Sequence, residues 1–126
     1  MEPDREWLRT LGRGLTQLHS LLLDRERRAY ESRHGAVGSP ELLQLLLGDE
    51  QFRWLRRLSG LMARVDELAD TDGPIAADDT QAIFRDVTRL LKSGDRGAFQ
   101  DKYREALQES PDVVIEHARI SDLLRR

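Results

Sequence analysis

Leucines at positions 8, 11, 15, 18 and 22 recur at steps of three and four. That rhythm follows the 3.6-residue turn of an α-helix, and it does not fit the two-residue alternation of a half-buried strand. The pattern reaches Ala29 with a polar step at Arg25 and Glu26, so it predicts one amphipathic helix from Asp4 to His34, with Pro3 just before it. Such a helix spans about 45 Å and sets the long dimension of the fold. Gly12 and Gly14 fall inside it, each costing about 1 kcal/mol relative to Ala. They either admit another helix at close range or mark fraying near the helix start.

The rest of the chain keeps the same period between clear breakers. Gly35-Ala36-Val37-Gly38 is a short loop, and Ser39-Pro40-Glu41 reads as a new start, with Ser as N-cap and Pro in the first turn. The segment Pro40–Leu47 is apolar nearly all round, which predicts a helix that is buried or covers something apolar. Asp49 can cap a third helix over Glu50–Ala69, whose stripe includes Trp54, Leu55, Leu58, Leu61, Val65 and Leu68. Asp70-Thr71-Asp72-Gly73-Pro74 breaks it, Asp78 caps a fourth helix to Lys92, and Ser93-Gly94-Asp95 breaks again. A fifth helix over Arg96–Glu109 and a sixth opened by Ser110-Pro111 complete the chain. The expected fold is all-α: one domain over residues 1–126, an antiparallel bundle of four main helices with one or two short extra ones.

Composition narrows the function classes. The 126 residues contain no cysteine, which excludes disulfides, thiol nucleophiles and thiolate-held metal sites. Net charge is -3, from 20 basic and 23 acidic residues, so no basic bias points to nucleic acid. The longest apolar runs, such as Leu21–Leu23 and Leu45–Leu47, fall far short of the ~20 residues of a membrane span. Met1–Glu6 lacks the pattern of a signal peptide. The expected protein is soluble and cytoplasmic, with neither nucleic acid nor membrane as partner. Arginine outnumbers lysine 18 to 2, a bias that fits a GC-rich bacterial genome.

The last third of the first helix is the main candidate site. Where the leucine seam continues it meets Arg25, Glu26 and Arg33, with Tyr30 at the edge and His34 at the end. Polar groups on a core seam need partners, because an unpaired buried charge costs several kcal/mol. Asp66 and Arg57 on the third helix are the expected partners, in Arg25/Arg33–Asp66 or Glu26–Arg57 pairs, with Trp54 close by. The functional reading is a small-molecule or anion pocket between the first and third helices, framed by these eight residues. The plainer reading is a structural ion network or a helix end projecting into solvent. A second candidate is the leucine-rich short helix, with Leu42, Leu43, Leu46 and Leu47 as an interaction face for a protein partner or a second copy. The plainer reading there is a buried lid.

Other motifs carry less. Glu31-x-x-His34 has the spacing of carboxylate-bridged di-iron bundles, but no second copy of the motif exists and Glu31 lies off the seam. Aligning Gly73 with an EF-hand glycine puts Asp70, Asp72 and Asp79 at ligand positions, yet places Leu68 where the first acidic ligand belongs. His19, on the helix edge, and His117, within an apolar stripe, form neither a triad nor a metal cluster with His34. No metal, cofactor or catalytic set is expected, and the chain reads as a non-enzymatic protein that works by interaction.

The segments Asp24–Gly35, Ser39–Leu47, Phe52–Leu55, Val65–Leu68 and Pro111–His117 together resemble an uncharacterised family of small bacterial all-helical proteins. The resemblance covers about Leu8 to Leu124 and implies a bacterial origin and a compact helical fold. It carries over no catalytic residues.

Overall fold

A computed structural model describes residues 3–125 of the chain. Met1 and Glu2, part of the N-terminal segment read above, and Arg126 lie outside the described residues. Six α-helices follow one another: α1 (Pro3–His34), α2 (Ser39–Gly48), α3 (Arg56–Ala69), α4 (Ala77–Lys92), α5 (Ala98–Glu109) and α6 (Pro111–Leu123). A 3-10 helix over Glu50–Leu55 leads into α3. Among the described residues there is no strand, and no helix is long and apolar enough to cross a membrane.

The predicted first helix is present, and Leu8, Leu11, Leu15, Leu18 and Leu22 along it are fully buried. Burying each leucine contributes about 1.5–3 kcal/mol relative to leaving it in water. The seam ends at Leu22: Ala29, expected to continue it, is exposed, as are Arg33 and His34. Contacts fix the register on both sides of α1. Arg5 donates to the Ala69 carbonyl, Gly12 lies beside Val65 and Asp66, and Glu26 meets Trp54, so α3 runs antiparallel to α1. Trp7 Nε1 donates to the Leu123 carbonyl at 2.8 Å, Gly14 lies against Ile120, and Arg25 pairs with Glu109, so α6 is antiparallel to α1 as well. The two interior glycines therefore serve two neighbours, Gly12 facing α3 and Gly14 facing α6.

The third predicted helix is divided, with α3 proper beginning only at Arg56. Phe52, Trp54 and Leu55 are all buried within four residues. A three-residue turn eclipses positions three apart, which puts Phe52 and Leu55 on one face and Gln51 and Trp54 on another. Asp49 opens this turn by accepting from the Gln51 N–H at 2.8 Å, as expected of a cap. Ser110 caps α6 in the same way, accepting from the Val113 N–H. Two expected caps are displaced. Gly38 rather than Ser39 precedes α2, and Ala76 precedes α4, leaving Asp78 in the first turn, where its charge favours the helix dipole.

Helix α2 is not the buried lid: none of its residues is fully buried. Leu42, Leu45 and Leu46 lean on the core, while Leu43 and Leu47 project from it. The ends of the helix are held. Pro40 lies in its first turn, the Asp49 N–H donates to the Leu45 carbonyl, and the Arg56 guanidinium donates to the Leu47 carbonyl.

Candidate functional site

The eight residues expected to frame one pocket separate into several groups, and Glu26 is the centre of the largest. One carboxylate oxygen accepts from Trp54 Nε1 at 3.1 Å, and the other accepts from Gln51 Nε2 at 2.8 Å. The three-residue spacing of the 3-10 turn aligns both donors on the same carboxylate. Gln51 also donates to the Glu26 carbonyl at 3.1 Å and accepts from Arg33 at 2.6 Å through its Oε1. An amide is suited to this position because it carries both a donor and an acceptor. Periodicity alone does not single out Gln51; its signal is its place two residues after the Asp49 cap and three before Trp54.

The expected pairs Glu26–Arg57, Arg25–Asp66 and Arg33–Asp66 are not made. Arg25 reaches α5 instead and pairs with Glu109 at 3.2 Å. The Tyr30 ring lies tilted against His34 and Phe52, with centroids 4.3 and 6.0 Å apart, which ties the exposed end of α1 to the 3-10 turn. Asp66 sits beside Gly12, on the N-terminal half of α1, where it lines a separate shallow recess with Arg9 and Arg13. The α-helical stripe that places Asp66 and Arg57 correctly relative to each other says nothing about which level of α1 they meet.

Trp54 and Arg57 do share a cleft, but it lies between the 3-10 turn and α5 rather than between α1 and α3. Its volume is about 630 Å³. Trp54 and the fully buried Phe99 line it with ring centroids 5.3 Å apart. Arg53 and Arg57 stand at its wall from the turn and α3, and Lys102 and Glu105 face them from α5.

A smaller recess of about 230 Å³ sits where α4, α5 and α6 meet. There the Tyr103 hydroxyl and His117 Nδ1 are 2.7 Å apart. Burial, with the Glu116 charge adding to it, pushes the Tyr103 hydroxyl well above its usual range. Burial, with the Lys92 charge adding to it, holds His117 below the usual 6.5. Both groups are thus neutral near pH 7, and their bond fastens α5 to α6. His117 is the hydrogen-bonded histidine on an apolar stripe that its position suggested. His19, expected at the helix edge, is buried, and burial lowers its pKa also.

The motifs with metal-like spacing are engaged with protein groups. Glu31 accepts from the Val37 N–H at 2.7 Å and lies 3.5 Å from Arg27, which itself donates to the Val37 carbonyl at 2.6 Å. The Glu31-x-x-His34 carboxylate thereby holds the α1–α2 loop. The loop holding Asp70 and Asp72 is closed by Arg5, which donates to the Gly73 carbonyl at 2.7 Å, while Asp70 faces Arg9 at 3.4 Å. Among the described residues no three of His, Asp and Glu gather into a group able to hold a metal ion.

Set against protein-family models, curated proteins and solved structures, the chain finds no match in any of the three.

Proposed function

We propose that this protein acts by contact rather than by catalysis, and that its contact element is α2 meeting α2 of a second copy. The observation that carries this reading is the exposure of Leu43 (56%) and Leu47 (64%) in a chain whose α1 seam leucines, Leu8, Leu11, Leu15, Leu18 and Leu22, are fully buried. The two are four residues apart and form one stripe on the outer side of the helix. The patch is nearly free of charge: Glu41 is the only ionisable residue in the ten of α2. A second copy therefore brings no like-charge repulsion to that stripe. The helix is also held at both ends before any partner arrives, which reduces the ordering cost of association. Two leucines per copy make a patch well below the ~800 Å² per partner of a standard stable interface. The expected dimer is accordingly reversible and dissociates on dilution.

Sedimentation velocity over a concentration series tests this. The wild type is expected to shift from monomer toward dimer as concentration rises. The Leu43→Glu/Leu47→Glu variant is expected to stay monomeric with an unchanged helical spectrum. Among the described residues, Val114 and Ile115 on α6 are the other large exposed apolar residues, so Val114→Glu/Ile115→Glu is the control and is expected to dimerise as the wild type does. A wild type that is monomeric at every concentration would overturn the proposal, as would loss of the dimer in the α6 variant alone.

A further inference from the structure

The cleft between the 3-10 turn and α5 combines three features. First, its inner side is aromatic and fixed. Trp54 cannot turn freely, because its indole N–H is bonded to Glu26 and its ring abuts Phe99. Second, all of its charges but one are uncommitted. The cationic Arg53, Arg57 and Lys102 and the anionic Glu50 and Glu105 make no ion pair or side-chain hydrogen bond among the described residues, and Asp101, which also lines the cleft, faces Arg104 at 3.6 Å. Third, its volume of about 630 Å³ lies within the ~300–1,000 Å³ of small-molecule sites.

The mixture of signs selects the ligand. A simple anion attracted by Arg53 and Arg57 also meets Glu50 and Glu105. A simple cation meets the arginines. A molecule that carries both charges close together, with a flat apolar body, matches this lining: carboxylate toward the guanidiniums, ammonium toward the glutamates, ring toward Trp54 and the exposed Ala98. We propose that this cleft is a binding site for a free aromatic α-amino acid. Guanidinium groups favour a carboxylate through paired, parallel N–H donors, and an ammonium near an aromatic face gains further attraction.

The test is titration of isotopically labelled full-length protein with L-phenylalanine, followed by the two indole N–H signals in NMR. Trp54→Phe identifies its signal by deletion. Trp7, bonded to the Leu123 carbonyl away from the cleft, is the internal reference. Phenylalanine is expected to move the Trp54 signal saturably and leave that of Trp7 in place. Phenylacetate and phenethylamine keep the ring but carry one charge each, and each is expected to bind at least about tenfold more weakly, a loss of about 1.4 kcal/mol. Arg57→Gln, at an exposed position where folding is not at stake, is expected to weaken phenylalanine binding while leaving phenethylamine unaffected. No saturable shift with phenylalanine overturns the proposal. Equal binding of phenylacetate overturns it in favour of an anion site, and equal binding of phenethylamine in favour of a cation site.

Discussion

Glu26 sits just beyond the point where the leucine seam of α1 gives out, and its two carboxylate oxygens meet donors three residues apart on the 3-10 turn. The need for a partner was legible from the sequence, because a charge on a core seam has to be satisfied. The identity of the partner was not, because choosing Gln51 and Trp54 over Arg57 depends on a tighter turn than the α-helical period implies. The histidines show the same division. Their isolation from any catalytic set could be read from position, whereas the burial of His19 could not, since it lies one step from Leu18 on a helix covered from two sides. Burial holds both His19 and His117 below the usual 6.5. The unfolded chain therefore binds protons that the folded chain refuses, so stability is full above pH 6.5 and declines as pH falls below it. Urea midpoints at about pH 7.5 and about pH 5.5 check this, and His19→Leu is expected to shrink the difference between them. An unchanged midpoint in the wild type would contradict the assignment.

Helix α1 was predictable almost to the residue, because a stripe of leucines over about four turns has only one regular conformation that buries it. The depth of α2 was not predictable. A helix that is apolar nearly all round has no stripe to say which side faces in, and only the neighbouring 3-10 turn decides that Leu43 and Leu47 point away. The two glycines of α1 were legible as sites of close approach, and the structure separates them by distance. A Cβ at Gly12 would meet Val65 at 3.4 Å, an ordinary contact, whereas one at Gly14 would meet Ile120 at 3.1 Å. Removing a helix-interior glycine gains about 0.5–1 kcal/mol, and crowding a packed core costs about 1–3 kcal/mol. Gly12→Ala is thus expected to stabilise the protein by about 0.5–1 kcal/mol. Gly14→Ala is expected to destabilise it by up to about 2 kcal/mol, since crowding exceeds the propensity gain. Chemical denaturation of the two variants measures both, and a destabilised Gly12→Ala would show that α3 lies closer than this packing allows.

The molecule as a whole is organised around α1, with α3 and α6 antiparallel on either side and α4 and α5 completing the bundle. A row of rings runs from Trp54 through Phe99 and Tyr103 to His117, with successive centroids 5.3, 5.4 and 5.5 Å apart, and links the 3-10 turn to α6 through α5. Two of the features on the outside of this framework carry the proposals made above: the leucine stripe of α2 and the charged cleft beside Trp54. The sequence shows the helices and offers Leu42, Leu43, Leu46 and Leu47 as an interaction face, but which two of the four point outward, and the cleft itself, depend on how separate elements meet. The chain's lack of cysteine allows the α2 contact to be tested directly. Leu47→Cys places a unique thiol on the stripe, and Gly60→Cys, at an exposed position with open space around it, places one on α3 as the comparison. A short bis-maleimide linker applied to each variant at matched concentration is expected to give a covalent dimer with Leu47→Cys and little with Gly60→Cys. Equal yields from the two positions, or no dimer from Leu47→Cys, would contradict the assignment of α2 as the contact between copies.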